Sequence, residues 1–210
     1  QRQMCIRDRL KHVVSVPLGH VPKMNPDRTV SSKSRVIWDA TKPNRACPKE
    51  DHPPAKQPRH SEVAKTILFW ATRFPNIEIL ISKKDIAEAF KWLWMRPEDA
   101  IQFAADIPGD AFGVECPIVA IMNCLFFGWT GAPGEYMIAA WLMKYYHESH
   151  MLEDPEWHSD IPLHTAVLMD DEVLVEPRLG VRHFVSLRLA EYGAYAILGK
   201  EAINPKKDLE

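Results

Sequence analysis

The 210 residues carry 26 Lys and Arg against 28 Asp and Glu, and 46% are apolar, which suits one domain or one and a half with a real core. No apolar run reaches membrane-spanning length and no secretory leader is evident. The expectation is an intracellular protein, cytoplasmic or nuclear, that is not secreted. The net charge of −2 hides an asymmetry: Lys11 to Lys65 holds eleven Lys/Arg against five Asp/Glu, whereas Glu148 to Glu176 holds nine Asp/Glu and no Lys/Arg. A basic front half suits phosphates and an acidic back half suits cations, although uneven surface charge is the plainer explanation. The four cysteines, at 5, 47, 116 and 124, form no close CxxC pair. That argues against a zinc knuckle and for plain thiols in a reducing compartment.

In chain order, Gln1–Arg9 looks like a translated sequencing adapter and is set aside from fold reasoning. The expectation is a reading frame cut short, with the chain a fragment. Residues 10–30, with four prolines or glycines, read as irregular extended chain. Ser34–Asp39 alternates enough for a short strand. Residues 42–60 are rich in proline and charge and read as a long loop. Ser61 is the expected N-cap of a helix whose inward stripe is Val63, Ile67, Trp70, Ala71 and Phe74. Ile77–Ile81 is a β-branched run expected to form a buried strand that delivers Asp85 at its end. Two further strands are expected at 101–105 and 114–122, around the turn Pro108-Gly109-Asp110. Gly131-Ala132-Pro133 opens a helix to about His147, with Pro133 in the first turn, where its missing N–H costs nothing. Its expected inward stripe is Met137, Ile138, Trp141, Leu142 and Tyr145. An acidic loop follows over 148–162.

His164–Met169 and Glu172–Glu176 read as a hairpin with Asp170-Asp171 as its two-residue turn, because aspartate tolerates unusual backbone angles. A last helix is expected from Val181 to about Tyr195, with Phe184, Val185, Leu189 and Tyr192 inward. The order implies an α+β domain, an antiparallel sheet with helices on one face.

The carboxylates carry the chemistry. A lone Asp-Asp pair is usually a solvated turn, but here apolar strand-formers flank it on both sides. Carboxylates crowded together repel and need cations. Oxygen ligands with no His or Cys nearby favour Mg²⁺ or Mn²⁺ over zinc. Asp85 lies far upstream and can join Asp170 and Asp171 only through the fold; Asp171 is the weaker ligand of the three. Phe90, five residues after Asp85, is either a core side chain or a ring that would clash with a nucleotide 2′-hydroxyl. The turn Gly128-Trp129-Thr130-Gly131 would let backbone approach a base pair or sugar, or is simply a tight entry to a helix. Lys33 and Arg35 on a strand could meet a triphosphate, or form a solvated basic edge. Lys206 or Lys207 could serve the leaving pyrophosphate, or be surface lysines. His147, His150, His158 and His164 fit no compact metal site and read as incidental.

Taken together, these segments resemble the reverse transcriptase domain of retroelements. Asp85-Ile86-Ala87-Glu88-Ala89-Phe90 resembles the first catalytic motif of that family. Phe127-Gly128-Trp129-Thr130-Gly131-Ala132-Pro133 is similar to the second and Leu168-Met169-Asp170-Asp171 to the third. Gly199 to Lys207 resembles the fourth, and Lys33 to Asp39 with Asn44 resembles the fingers segment. The resemblance runs from about residue 20 to the end, in order. It implies a polymerase palm over 76–210, with an insertion near 100–126, and partial fingers over 10–75, the thumb being absent.

The resemblance also implies Asp85, Asp170 and Asp171 as catalytic carboxylates, and two Mg²⁺ ions held by them and the Ile86 carbonyl. Lys33, Arg35, Ala89, Phe90, Phe127, Gly128 and Lys206 would line the nucleotide site. The implied partners are an RNA template, a DNA primer and deoxynucleotide triphosphates, in a retrotransposon of the long-terminal-repeat or tyrosine-recombinase kind. Phe127 stands where the family usually has glutamine, and Leu168 where it usually has an aromatic residue. An RNA-directed RNA polymerase and a non-catalytic nucleic-acid-binding relic are the alternative readings, the first disfavoured by Phe90 and the second by the intact carboxylates.

Overall fold

The computed structural model describes residues 13–150 and 161–203. It is mixed α+β, with three small antiparallel sheets. Two compact units are distinguished: Gln1–His52 with Leu93–Ala132, and Pro53–Trp92 with Pro133–Glu210. The segment anticipated as an insertion near 100–126 thus groups with the N-terminal residues, and the helix of residues 60–73 with the carboxylates.

In the first unit, β1 (Leu18–Met24) pairs antiparallel with β2 (Val30–Trp38). Residues 18–24 therefore form a strand rather than the irregular chain suggested by their prolines. Pro22 is tolerated because the ladder becomes irregular between Pro22 and Met24, a place where a missing N–H costs little. The 42–60 stretch begins with a short helix, α1 (Thr41–Arg45), and contains a 3₁₀ turn at Lys49–Asp51. A second short helix, α3 (Pro97–Ala100), precedes β4 (Ala104–Ile107), which pairs with β5 (Ile118–Ile121). Both strands are shorter than anticipated. The Pro108-Gly109-Asp110 turn extends into a 3₁₀ helix over Gly109–Phe112, closed by Gly113 at φ 68°. The core of this unit is aromatic: Phe103 meets Phe126 edge-on at 5.0 Å, beside Ala40, Trp38 and Trp129.

The second unit is organised by the sheet β3-β7-β6: β3 (Ile79–Asp85), β7 (Asp171–Pro177) and β6 (Thr165–Leu168). Its helices are α2 (His60–Arg73), α4 (Ala132–Ser149) and α5 (Arg182–Ile197). α2 starts at His60, one residue before the expected cap Ser61; Arg59 is the extended residue before it, and no side chain caps the end. Trp70 is its one buried side chain, its indole N–H donating to the Val175 carbonyl at 2.9 Å. Ala71, expected inward, is exposed.

In the sheet, Ser82 and Lys84 share a face with their cross-strand partners Leu174 and Glu172, and with Thr165. That face receives α4 and α5. Leu174 packs with Leu187 and Ala190, Lys84 pairs with Glu191, and Thr165 hydrogen-bonds His147.

Both helices bury a different face from the one their hydrophobic residues suggest. On α4, Ile138, Trp141, Leu142 and Tyr145 are exposed, while Tyr136, Met137, Ala139, Ala140, Met143 and His147 are buried. On α5, Phe184 and Tyr192 are exposed, and Arg182, Ser186, Leu187, Ala190, Gly193 and Ala194 are buried. The reason is close approach. A Cβ on Gly193 would sit 3.2 Å from the Met143 carbonyl and 3.3 Å from the Tyr146 ring. Contact that tight selects glycine and alanine, so the larger apolar side chains turn outward.

Candidate active site

β3 and β7 run antiparallel in unbroken register from Ile79↔Pro177 to Asp85↔Asp171. The register brings two aspartates 86 positions apart in the chain directly opposite one another. One residue on, the Ile86 N–H donates to the Asp170 carbonyl at 2.8 Å. Asp85, Ile86, Asp170 and Asp171 therefore meet at one end of the sheet. The returning chain after α5 closes this end: the Ala87 N–H donates to the Ala202 carbonyl at 2.7 Å, and Ile86 bridges Ile203.

The hairpin turn differs from the expected one. Leu168 pairs with Asp171, so the two-residue turn is Met169-Asp170, and Met169 takes the left-handed backbone (φ 59°). Asp171 is the first residue of β7. This matters chemically, because only a strand position places Asp171 in line with Asp85. Asp170 on the turn and Asp171 on the strand are partly buried, and Asp85 is only 4% exposed.

Like charges directly opposite on a ladder destabilise it. At an effective dielectric near 20, two unit charges about 4 Å apart repel by about 4 kcal/mol. A cation at this edge relieves that strain, and the protein supplies one. Lys83, two residues before Asp85 and so on the same face, places its Nζ 2.9 Å from Asp171 Oδ1. Its ammonium is held above the usual lysine range, first by the hydrogen bond to Asp171 and further by the charges of Asp171, Asp85 and Asp170. Lys83 was not among the residues singled out in the sequence, although its i, i+2 spacing from Asp85 on a strand is the signal that finds it.

The oxygen-only donor set of Asp85, Asp170, Asp171 and the Ile86 carbonyl fits the chemistry of a hard divalent ion such as Mg²⁺ or Mn²⁺. The side chains are not drawn into a cage: among the described residues no three His, Cys, Asp or Glu groups converge as metal ligands.

Beneath the carboxylates lie two buried polar groups that the sequence did not flag. Glu172, next to Asp171 but on the helix face, is 1% exposed, and burial pushes its carboxyl up to about 8. Its Oε2 and the Tyr136 hydroxyl are buried with no hydrogen-bond partner. The Tyr136 hydroxyl is pushed well above its usual range, chiefly by burial and then by the charges of Glu172, Asp170, Asp171 and Asp85. Tyr136 also carries Phe90, whose ring meets it edge-on at 5.3 Å and is 4% exposed. Ala89 is buried beside it.

The remaining sequence candidates lie in the first unit or outside the described residues. Arg35 lies exposed on β2 of the first unit, the strand that also contains Lys33. Phe127, 73% exposed, and Gly128, at φ 108°, are also in the first unit. There Asn44 clamps the glycine turn, donating to the Gly128 carbonyl at 2.7 Å and accepting from the Thr130 N–H at 2.9 Å. The small size of Gly131 is required by the protein itself, since a Cβ there would meet the His52 ring at 2.6 Å. Lys206 and Lys207 lie outside the described residues.

Of the histidines, His147 has a structural part. His147 is buried and joins β6 to α5: its Nε2 lies 2.9 Å from Ser186 Oγ and its Nδ1 2.6 Å from Thr165 Oγ1. Ser186 spends its proton on Glu176 Oε1 (3.2 Å), so His147 donates through Nε2 and accepts through Nδ1. Burial pushes its pKa down to about 4. Glu176 in turn receives Arg182 Nε at 2.6 Å, both side chains being 1% exposed. His164 pairs with Glu148 at 2.8 Å, and the His150 ring lies against Tyr146. His158 lies outside the described residues. Cys47, Cys116 and Cys124 are thiols. Among the described residues, no helix is long and apolar enough to cross a membrane. No family model matches the chain, and no curated protein matches it either.

Proposed function

We propose that this chain is the palm and part of the fingers of a reverse transcriptase, a nucleotidyltransferase that extends a DNA primer on an RNA or DNA template. The observation that carries the reading is the strand register. Asp85 stands opposite Asp171, and the following residue, Ile86, is bonded to Asp170, on an antiparallel sheet backed by helices. A solvated Asp-Asp turn would have no reason to meet a third, buried aspartate. The order of the motifs along the chain supports the same reading.

In this reading Asp85, Asp170, Asp171 and the Ile86 carbonyl would hold two Mg²⁺ ions, Asp171 being the weaker ligand. Bound there, the pair supplies activation of the primer 3′-hydroxyl and charge stabilisation of the departing pyrophosphate. The protein's own part is to fix the carboxylates on a rigid ladder rather than on a mobile loop. Phe90, buried with its ring edge-on to Tyr136 at 5.3 Å, would in this reading bar the 2′-hydroxyl of a ribonucleotide. The residues of the first unit enter this reading through the sequence resemblance.

The test is primer extension with Mg²⁺ in the reading frame that encodes the chain, supplied separately with deoxynucleotides and ribonucleotides. Extension with deoxynucleotides alone, abolished by Asp170→Asn, is the expected result. Extension with ribonucleotides would shift the assignment to an RNA polymerase. Extension that survives Asp170→Asn would overturn the site.

A further inference from the structure

We propose that Lys83 is a tethered cation of the carboxylate cluster, which competes with divalent metal for Asp171 and so weakens metal binding at this site. The inference rests on the polymerase reading above and adds to it a residue which that reading does not include.

Three observations carry it. Lys83 and Asp85 are two apart on β3 and face the same side, while Asp171 is the cross-strand partner of Asp85. Lys83 Nζ lies 2.9 Å from Asp171 Oδ1, with both side chains 31% exposed, so the pair is accessible to solvent ions. Asp170 joins them through its carbonyl, which accepts from the Ile86 N–H, so Lys83 stands where the three aspartates meet. A lysine at this point does what a divalent ion would do for Asp171, at half the charge and without leaving the protein. Filling the site must then break or stretch the Lys83 contact, and that work is subtracted from metal affinity. Lys83 is a positioning residue: it acts on the metal through Asp171. The adjacent Lys84 has no such role, because its side chain points to the other face and pairs with Glu191.

The test is Mn²⁺ titration followed by electron paramagnetic resonance, on the wild-type chain and on Lys83→Met, Lys83→Arg and Asp170→Asn. Mn²⁺ binding by the wild type that Asp170→Asn removes is expected from the polymerase reading. Lys83→Met should bind Mn²⁺ about five- to tenfold more tightly, the worth of a partly exposed ion pair plus one removed positive charge. Lys83→Arg should restore wild-type affinity. Unchanged or weaker binding by Lys83→Met, with wild-type binding intact, overturns the inference and leaves the site standing. Should Lys83→Met not fold, Lys83→Gln answers the same question. Absence of Mn²⁺ binding in the wild type overturns the site and the inference together.

Discussion

β7 carries an acidic residue near each end, about 17 Å apart along the strand. At its start Asp171 faces Asp85 across the ladder, part-exposed, with a lysine leaning over the edge. At its end Glu176 lies fully buried, yet Arg182 and Ser186 both donate to it, and Arg182 also donates to the Ile161 and Pro162 carbonyls at 2.9 Å. Ser186 passes the chain on to His147 and Thr165. The Glu176 end sets one guanidinium against one carboxylate, whereas the Asp171 end sets Lys83 beside three aspartates. A satisfied buried network specifies a structure; a cluster in which carboxylates outnumber cations favours the binding of a further cation.

The contrast is sharpest when charge is removed at the satisfied end. Arg182→Met keeps the length of the side chain but strands Glu176 in the interior. Breaking a buried pair in this way costs about 3–5 kcal/mol. Chemical denaturation should register that loss, and the double variant Arg182→Met with Glu176→Met should recover much of it. A loss under 1 kcal/mol would show that the Glu176 end is not held as its geometry implies.

The same network makes stability depend on pH. His147 is neutral in the fold, with a pKa of about 4 against an ordinary value near 6.5. Between those values the unfolded chain binds a proton that the folded chain refuses. The contribution is therefore fully present above about pH 6.5 and is lost as pH falls towards 4, amounting to about 3 kcal/mol when complete. Glu172, raised to about 8, acts with the opposite sign over an overlapping range. Comparing wild type with His147→Gln cancels the Glu172 term. Thermal unfolding of the variant should fall less steeply than wild type from pH 6.5 to 4.5; parallel curves would remove His147 from the account.

The aspartate end is the more legible of the two in the sequence. Ile77–Ile81 and Val173–Val175 announce themselves as strands by their apolar β-forming runs, the first continuing in the structure to Asp85, and the sequence motifs single out all three aspartates. What spacing could not give was the register. It places Asp171 on the strand and passes the turn to Met169, a residue with no propensity for the left-handed backbone it adopts. The buried network was illegible for another reason. Arg182, Ser186, His147 and Glu176 are polar residues that pattern rules assign to the surface, and only their mutual satisfaction lets them go inside. The same cause misdirected the helix faces. Once Arg182 and Gly193 occupy the inner side of α5, Phe184 is left outside, with Arg188 stacked on it at 5.3 Å.

The comparison can be broken most directly by neutralising a charge at the aspartate-rich end. Asp85→Asn keeps the shape of the side chain and replaces a carboxylate opposing Asp171 with an amide able to donate to it. Without divalent ions the variant should be more stable than wild type by about 1 kcal/mol, while losing any metal-dependent extension. The direction matters more than the size, because at the Glu176 end removing either charge alone should lower stability. If Asp85→Asn instead cost as much as Arg182→Met, Asp85 would belong to the same kind of satisfied network. The pairing of Asp85 with Asp171 would then be a structural contact, and the register would no longer argue for a site.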